Sequence, residues 1–295
     1  MSRSGARAKK IIGATASATA LVMALSAVGG QAGAAPRGFV RVASHAAAAA
    51  QPTSTGRAIA DLQVWDGKVY MGYGDYGANT GPITVSSFEP RRGVVSDEFV
   101  QDTEAVYNYR AIGNRLIAPS IDPRVAADYA AGGPWAEASV AGASHVFDVA
   151  TLTGTDLWMV GSKDMDAVAW RSLDGGTTWA EVLRVAPRTT GDHARFYFAG
   201  VLNGRLYVHA TDAGTGAHPA SNVFDGASWS EGPALISGYT RGWRPVEFNG
   251  ELVYTANPQN TGRVHAFDGS ASRIIGMGRD IEVTPRKLYL LDSWG

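Results

Sequence analysis

The chain has no cysteine among its 295 residues. That excludes disulfides, thiolate nucleophiles, a cysteine-linked lipid anchor and cysteine-based zinc or iron–sulfur centres. Charge of one sign is also missing, since 26 basic residues stand against 27 acidic ones. No run of like charge forms a nucleic-acid-binding arm. After residue 30 no apolar run is long enough to span a membrane. Helical periodicity is absent over any useful length, so a parallel α/β fold lacks its crossover helices. His145, His193, His209, His218 and His265 show no HExxH or short ligand spacing, and Asp164-Met165-Asp166 does not complete an EF-hand loop. Neither a phosphate-cradling loop before a helix nor a Gly-x-Ser-x-Gly elbow occurs. The residues therefore declare no metal and no cofactor.

What the chain does have is 36 glycines, 28 aromatic residues and a 45% hydrophobic composition. Such a composition folds. Its first residues read as an address. Arg3, Arg7, Lys9 and Lys10 precede an uncharged, mostly apolar stretch from Ile11 to about Gly30, and Ala32 and Ala34 offer a small-x-small cleavage site. This order predicts a secretory signal peptide over residues 1–34 and an extracellular mature chain. Removing its four basic groups leaves 22 basic and 27 acidic residues, a formal net charge of −5. Nucleic acid and acidic lipid are thereby disfavoured as partners. Residues 35–57 read as a short strand at Gly38–Ala43 and a flexible, Ala-rich lead-in. Residues 58–295 read as a single domain.

A repeat organises that domain. An apolar run, a tight turn and a second apolar run recur at Trp65–Tyr70, Ile112–Ile117, Thr153–Trp158, Leu202–Tyr207 and Phe248–Val253, with a looser copy at Val283–Tyr289. Asp-Gly and Asn-Gly supply the positive φ angles of two-residue hairpin turns. The anchors Val69, Leu116, Leu157, Leu206, Leu252 and Leu288 lie 47, 41, 49, 46 and 36 residues apart. That period, with hairpins inside it, suits four-stranded blades. The expectation is an all-β propeller with six blades, the last completed by the N-terminal strand. Five blades are the alternative.

Ser172-Leu173-Asp174-Gly175-Gly176-Thr177-Thr178-Trp179 matches Ser-x-Asp-x-Gly-x-Thr-Trp. This segment resembles the Asp box, or BNR repeat, of sialidases and related propellers. Val223–Trp229 looks like a degenerate copy, and Gly132–Trp135 like a relic. The resemblance implies a structural turn on the outer rim, with Ser172, Asp174, Gly176, Thr178 and Trp179 serving folding. It does not extend to sialidase catalytic residues. Arg110, Arg195 and Arg244 are candidates for an arginine triad by type alone, and the Arg-Ile-Pro segment of that family is missing.

Two sets of residues are candidates for a site. Glu104, His145 and Arg195 each lie nine residues before a hairpin glycine, namely Gly113, Gly154 and Gly204. Superposed repeats would place them around one mouth of the channel, where an enzyme could use them as acid or base, shuttle and anion clamp. The second set lies in loops after the second strand of each repeat. It contains Asp75, Tyr76 and Asn79 within Gly72–Pro82, then Asp122, Asp164 and Asp212, with Asn257, Asn260 and Asp292 in later repeats. Such a face suits a neutral glycan or a cation, although these residue types also serve turns. The leading functional reading is a secreted binding or scaffold module for carbohydrate or cell-wall polymer. A glycan-cleaving enzyme, using Glu104 with Asp75 or Asp122, is the alternative. A module that binds an extracellular protein is the third reading.

Overall fold

The computed structural model describes residues 42–122, 128–140, 142–236, 241–257 and 263–277. The expected signal peptide and the hairpin at Val283–Tyr289 lie outside these residues. So does most of the Gly38–Ala43 strand.

The described residues form five antiparallel sheets, each a blade of a β-propeller. Blade 1 comprises β1 (Asp61–Trp65), β2 (Lys68–Gly72), β3 (Ile83–Glu89) and β4 (Val94–Gln101). Blade 2 comprises β5 (Arg110–Ile112), β6 (Arg115–Pro119), β7 (Tyr129–Gly132) and β8 (Ala136–Ala138). Blade 3 comprises β9 (His145–Ala150), β10 (Leu157–Lys163), β11 (Asp166–Ser172) and β12 (Ala180–Val185). Blade 4 comprises β13 (Ala194–Leu202), β14 (Arg205–Asp212), β15 (Gly216–Ala217), β16 (Ser221–Phe224) and β17 (Trp229–Gly232). Blade 5 comprises β18 (Arg241–Phe248), β19 (Glu251–Asn257), β20 (Arg263–Phe267) and β21 (Ser272–Met277).

This corrects the six-blade expectation. Each sheet takes its strands in chain order from one continuous segment, so no blade borrows a strand from the N-terminus. The five strong hairpin signals each open a blade. Their turns hold Asp66-Gly67, Asn203-Gly204 and Asn249-Gly250 at positive φ, the conformation that matches the twist of the flanking strands.

The core lies between blades. Tyr70, Val85, Tyr109 and Leu116 join blades 1 and 2. Tyr129, Val146, Met159 and Trp170 join blades 2 and 3. Trp158, Phe196, Leu206 and Phe224 join blades 3 and 4. Phe198, Tyr207, Leu252 and Tyr254 join blades 4 and 5. Near the axis blade 5 also reaches blade 2, where Arg244 Nε donates to the Tyr107 carbonyl at 3.1 Å and Arg110 Nη1 to the Pro245 carbonyl at 2.9 Å. The Ala-rich segment before blade 1 holds a one-turn helix, α1 (Ala46–Ala49), capped by His45 Nδ1. Ala48 is buried, and the His45 ring lies 4.7 Å from that of Tyr73.

The inner strands β9, β13 and β18 each carry a bulge relative to the second strand of their blade. A bulge re-aims side chains and sharpens local twist. It is at this level that the axial residues gather.

Candidate functional site

One end of the axis has an aromatic floor. Phe147 of β9, Tyr197 of β13 and Trp243 of β18 occupy matching positions on three inner strands. The Phe147 and Tyr197 rings lie 4.6 Å apart, and Trp243 lies 5.1 Å from Tyr197 and 6.2 Å from Phe147. Tyr107 and Trp243 are half-buried against the Phe147–Tyr197 cluster, with Ala105 and Ile121 beneath. Tyr107 donates its hydroxyl to the Gly74 carbonyl at 2.7 Å and meets the Tyr76 ring edge to face at 6.1 Å. Burial raises the Tyr107 phenol above its ordinary range, with Asp75 adding to the effect, so it stays protonated.

A polar rim stands two residues earlier on the same strands. The His145 ring stacks over Phe147 at 5.6 Å and pairs through Nε2 with the Asp122 carboxylate. Its Nδ1 meets Ser162 Oγ at 3.1 Å. The hydrogen bond from His145 holds the Asp122 carboxyl below its usual range against the opposing effect of burial, with the charge of Arg195 assisting. Arg195 lies over Phe147, and Arg241 over Tyr197. Beside them, partial burial and then the charge of Arg195 lower the His193 pKa.

Of the predicted residues, His145, Arg195 and Asp122 are brought together here. Glu104 is buried in the adjoining wall, where its carbonyl accepts from Asp75 N at 3.0 Å. Tyr76 is 45% exposed and reaches the rim through Tyr107. Asp75 organises its own loop, accepting from the backbone N–H of Gly77 at 2.9 Å and of Ala78 at 3.2 Å and from the Thr53 hydroxyl. Asn79 takes a left-handed turn conformation in the same loop. The Asp164 side chain is 77% exposed and lies 3.9 Å from Arg184, while its backbone N–H donates to Ser144 Oγ at 3.1 Å. Asp212 is buried beneath Arg188, Thr215 and His218, at 2.9, 2.9 and 2.7 Å. The Asn257 side chain, Asn260 and Asp292 lie outside what the structure describes.

The Asp-box-like residues occupy the β11–β12 turn. Ser172 Oγ donates to Asp174 at 2.8 Å and accepts from Gly176 N at 2.7 Å. Asp174 also accepts from Thr178 N at 2.9 Å and Thr178 Oγ1 at 2.6 Å. The bond from the Thr178 hydroxyl, with the others, holds its carboxyl at about 2. Asp225 and Asp268 accept from the N–H groups two and three residues on in the matching turns of blades 4 and 5.

Arg241, Phe147, Tyr197, Trp243 and Tyr107 escaped the sequence reading. The signal for Arg241 was available, since it lies nine residues before Gly250. Phe147, Tyr197 and Trp243 then follow the rim residues by two positions, the strand spacing that keeps side chains on one face.

One residue beyond Phe147 on β9 lies a tightly paired polar knot. Asp148 has a fully buried side chain and receives Arg110 Nε at 2.8 Å and Nη2 at 2.9 Å. It also accepts from Asn108 Nδ2 and from Ala199 N. Below it opens a recess of about 280 Å³, lined by Ala111, Val149, Val201, Pro245 and Glu247 among others.

No family model matches the chain, and no curated protein matches it. Among solved structures it is similar to a chain of the nidogen/laminin complex, with a TM-score of 0.51 and 12% identity over 74% of this chain and 79% of that one. It is also similar to a GH74 xyloglucanase from Xanthomonas campestris, with a TM-score of 0.49 and 16% identity over 75% of this chain and 38% of that one. At these identities the likeness concerns the fold alone. The described residues form a β-propeller of five blades. Among its described residues no helix is long and apolar enough to cross a membrane.

Proposed function

We propose that this chain is a secreted propeller that binds carbohydrate at the rim and floor formed by His145, Arg195, Arg241, Phe147, Tyr197 and Trp243. The observation that carries the reading is the half-buried Trp243 ring, seated on the buried Phe147–Tyr197 pair beside a ring of polar side chains. Aromatic faces accept the C–H faces of sugar rings, and the polar rim fixes orientation. The leader-like N-terminus supports export, and the propeller supplies a rigid frame.

Binding fits better than cleavage. Glycoside hydrolysis ordinarily needs two carboxyl groups flanking the scissile bond. Asp122 is bound to His145, Asp75 to its own loop, and Asp212 to Arg188 and His218.

The test incubates the full mature chain with soluble and insoluble polysaccharides, reading retention and released sugar together. Retention without release, lost in Trp243→Ala with an unchanged melting temperature, is the expected result. Release abolished by Glu104→Gln in a folded protein would replace this reading with an enzyme. Neither retention nor release would turn the search to an extracellular protein partner.

A further inference from the structure

Half of the described arginines pair with acids. Arg110 holds Asp148, Arg188 holds Asp212, and Arg184 holds Glu181 and Asp166. Arg195 and Arg241 are among those that do not, and they alone of these stack on rings of the axial cluster. Their guanidinium carbons lie 5.7 Å and 4.8 Å from the centroids of Phe147 and Tyr197, whose rings are neighbours. Neither forms an ion pair or a side-chain hydrogen bond with another described residue. Asp122, whose carboxyl feels the charge of Arg195, and Asp192, close to that arginine in the chain, are already hydrogen-bonded. Asp122 is taken by His145, and Asp192 accepts from His193 N at 2.8 Å and from Gly214 N at 2.9 Å.

We infer that the glycan bound at this rim carries a carboxylate, and that Arg195 and Arg241 clamp it. The inference rests on the carbohydrate reading above and narrows its ligand to uronic-acid-bearing glycans. A guanidinium stacked on a ring uses its flat face and leaves its N–H edge for a planar, two-point partner. A carboxylate meets that geometry with two parallel hydrogen bonds. Two like charges on adjacent rings repel one another unless an anion arrives between them. His193 and His145 stand in the same field, and His145 already engages the one acid of the rim. The mature chain is acidic as a whole, so this positive patch focuses anions at a single place. A sugar ring attached to the carboxylate would lie against the half-buried Trp243.

The experiment measures binding of the full mature chain to a polyuronate, to the same polymer after its carboxyl groups are reduced to alcohols, and to inorganic polyphosphate. The polyuronate should bind at least tenfold more tightly than its reduced form. Arg195→Gln and Arg241→Gln should each lower polyuronate affinity about tenfold and lower affinity for the reduced polymer by a clearly smaller factor, with melting temperatures unchanged. Arg241→Lys should restore part of the affinity, since it keeps the charge and loses the fork. Equal binding of both polymers would overturn the carboxylate inference and leave the carbohydrate reading standing. Polyphosphate bound as tightly as polyuronate, with the same loss in Arg195→Gln, would overturn it in favour of phosphate. Binding to neither polymer would remove the carbohydrate reading itself.

Discussion

Trp179 meets Tyr129 edge to face across the junction of blades 2 and 3, with ring centroids 6.0 Å apart. The relationship recurs. Trp135 of blade 2 lies 6.0 Å from Tyr70 of blade 1, and Trp229 of blade 4 lies 6.0 Å from Trp158 of blade 3. Each tryptophan sits just before, or at the start of, the fourth strand of its blade and wedges against the blade before it. The Asp-box-like turn thus serves assembly: Asp174 fixes the turn, and the turn delivers Trp179 to its neighbour. Trp179→Ala should cost about 2–3 kcal/mol, because a half-buried aromatic loses both its area and its partner ring. Trp179→Phe should recover more than half of that. Urea unfolding of the two variants checks the claim, and an unchanged midpoint in Trp179→Ala would refute it.

Asp148 and Arg110 tie three blades together, since Asp148 also receives the Ala199 N–H. Taking away one member leaves the other charged and buried. Asp148→Ala or Arg110→Met should therefore cost about 3–5 kcal/mol each. The double variant should lose clearly less than the two losses added, because no lone charge is left behind. Chemical denaturation of all three proteins gives the coupling, and strict additivity would show that the pair acts as two separate groups.

Asp156 gives the fold an acid limit. Its side chain is 2% exposed. Burial alone would raise its pKa. The Thr153 N–H and hydroxyl, at 2.9 and 2.8 Å, together with Trp158 Nε1 at 2.6 Å and Thr151, overcome that and hold the carboxyl at about 2. A folded-state pKa below the unfolded value stabilises the protein above the ordinary carboxyl range. That contribution fades as pH falls from about 4 toward 2. After allowance for solvent screening it amounts to about 1–2 kcal/mol. Asp156→Asn should lower stability at pH 7 and flatten its decline over that window. Thermal melts between pH 2 and 7 test this. Parallel curves for the two proteins would exclude Asp156 as the titrating group.

The blades were legible because one signal is local: an Asp-Gly or Asn-Gly turn between apolar runs specifies a hairpin without help from distant residues. The role of Asp174 as a turn-former was legible for the same reason. Blade number was harder. The last hairpin signal, at Val283–Tyr289, is a looser copy without an Asn-Gly or Asp-Gly turn, and the sheets show that five segments of the described residues already complete their own blades. The mouth was half legible. His145 and Arg195 stand out by their common offset from a hairpin glycine, and Arg241 shares that offset. Phe147, Tyr197 and Trp243 read in sequence as ordinary core residues of three separate strands. Only the radial arrangement converts them into one cluster. Asp75 and Asp212 were not separable in sequence from other loop acids, because a buried carboxylate that bonds its own loop looks, in sequence, like one that faces a ligand.

The loop Gly72–Pro82 depends on a close approach at Gly74. This residue has φ +122°, and a Cβ there would lie 2.3 Å from the Glu104 carbonyl and 2.6 Å from Ala105 Cα. Neither atom is the end of a flexible side chain, so the backbone itself would have to move. Gly74 bridges to Ala105, and its carbonyl receives the Tyr107 hydroxyl. Gly74→Ala should therefore lift the loop from the axis, free Tyr107 and separate Tyr76 from it. A cost of about 2–4 kcal/mol follows from strained φ and a backbone clash together. Loss of ligand binding in that variant alone would not separate fold from site. Tyr76→Ala supplies the separation, because its exposed ring contributes little to stability. It should leave the melting temperature within a degree or two and weaken carbohydrate binding several-fold, if the loop lies against the ligand. Gly93→Ala, at an open turn with no neighbour within 4 Å, is the control for positive φ alone. Gly74→Ala should unfold at clearly lower denaturant than Gly93→Ala, and equal midpoints would show that the contact with Glu104 is not what fixes the loop.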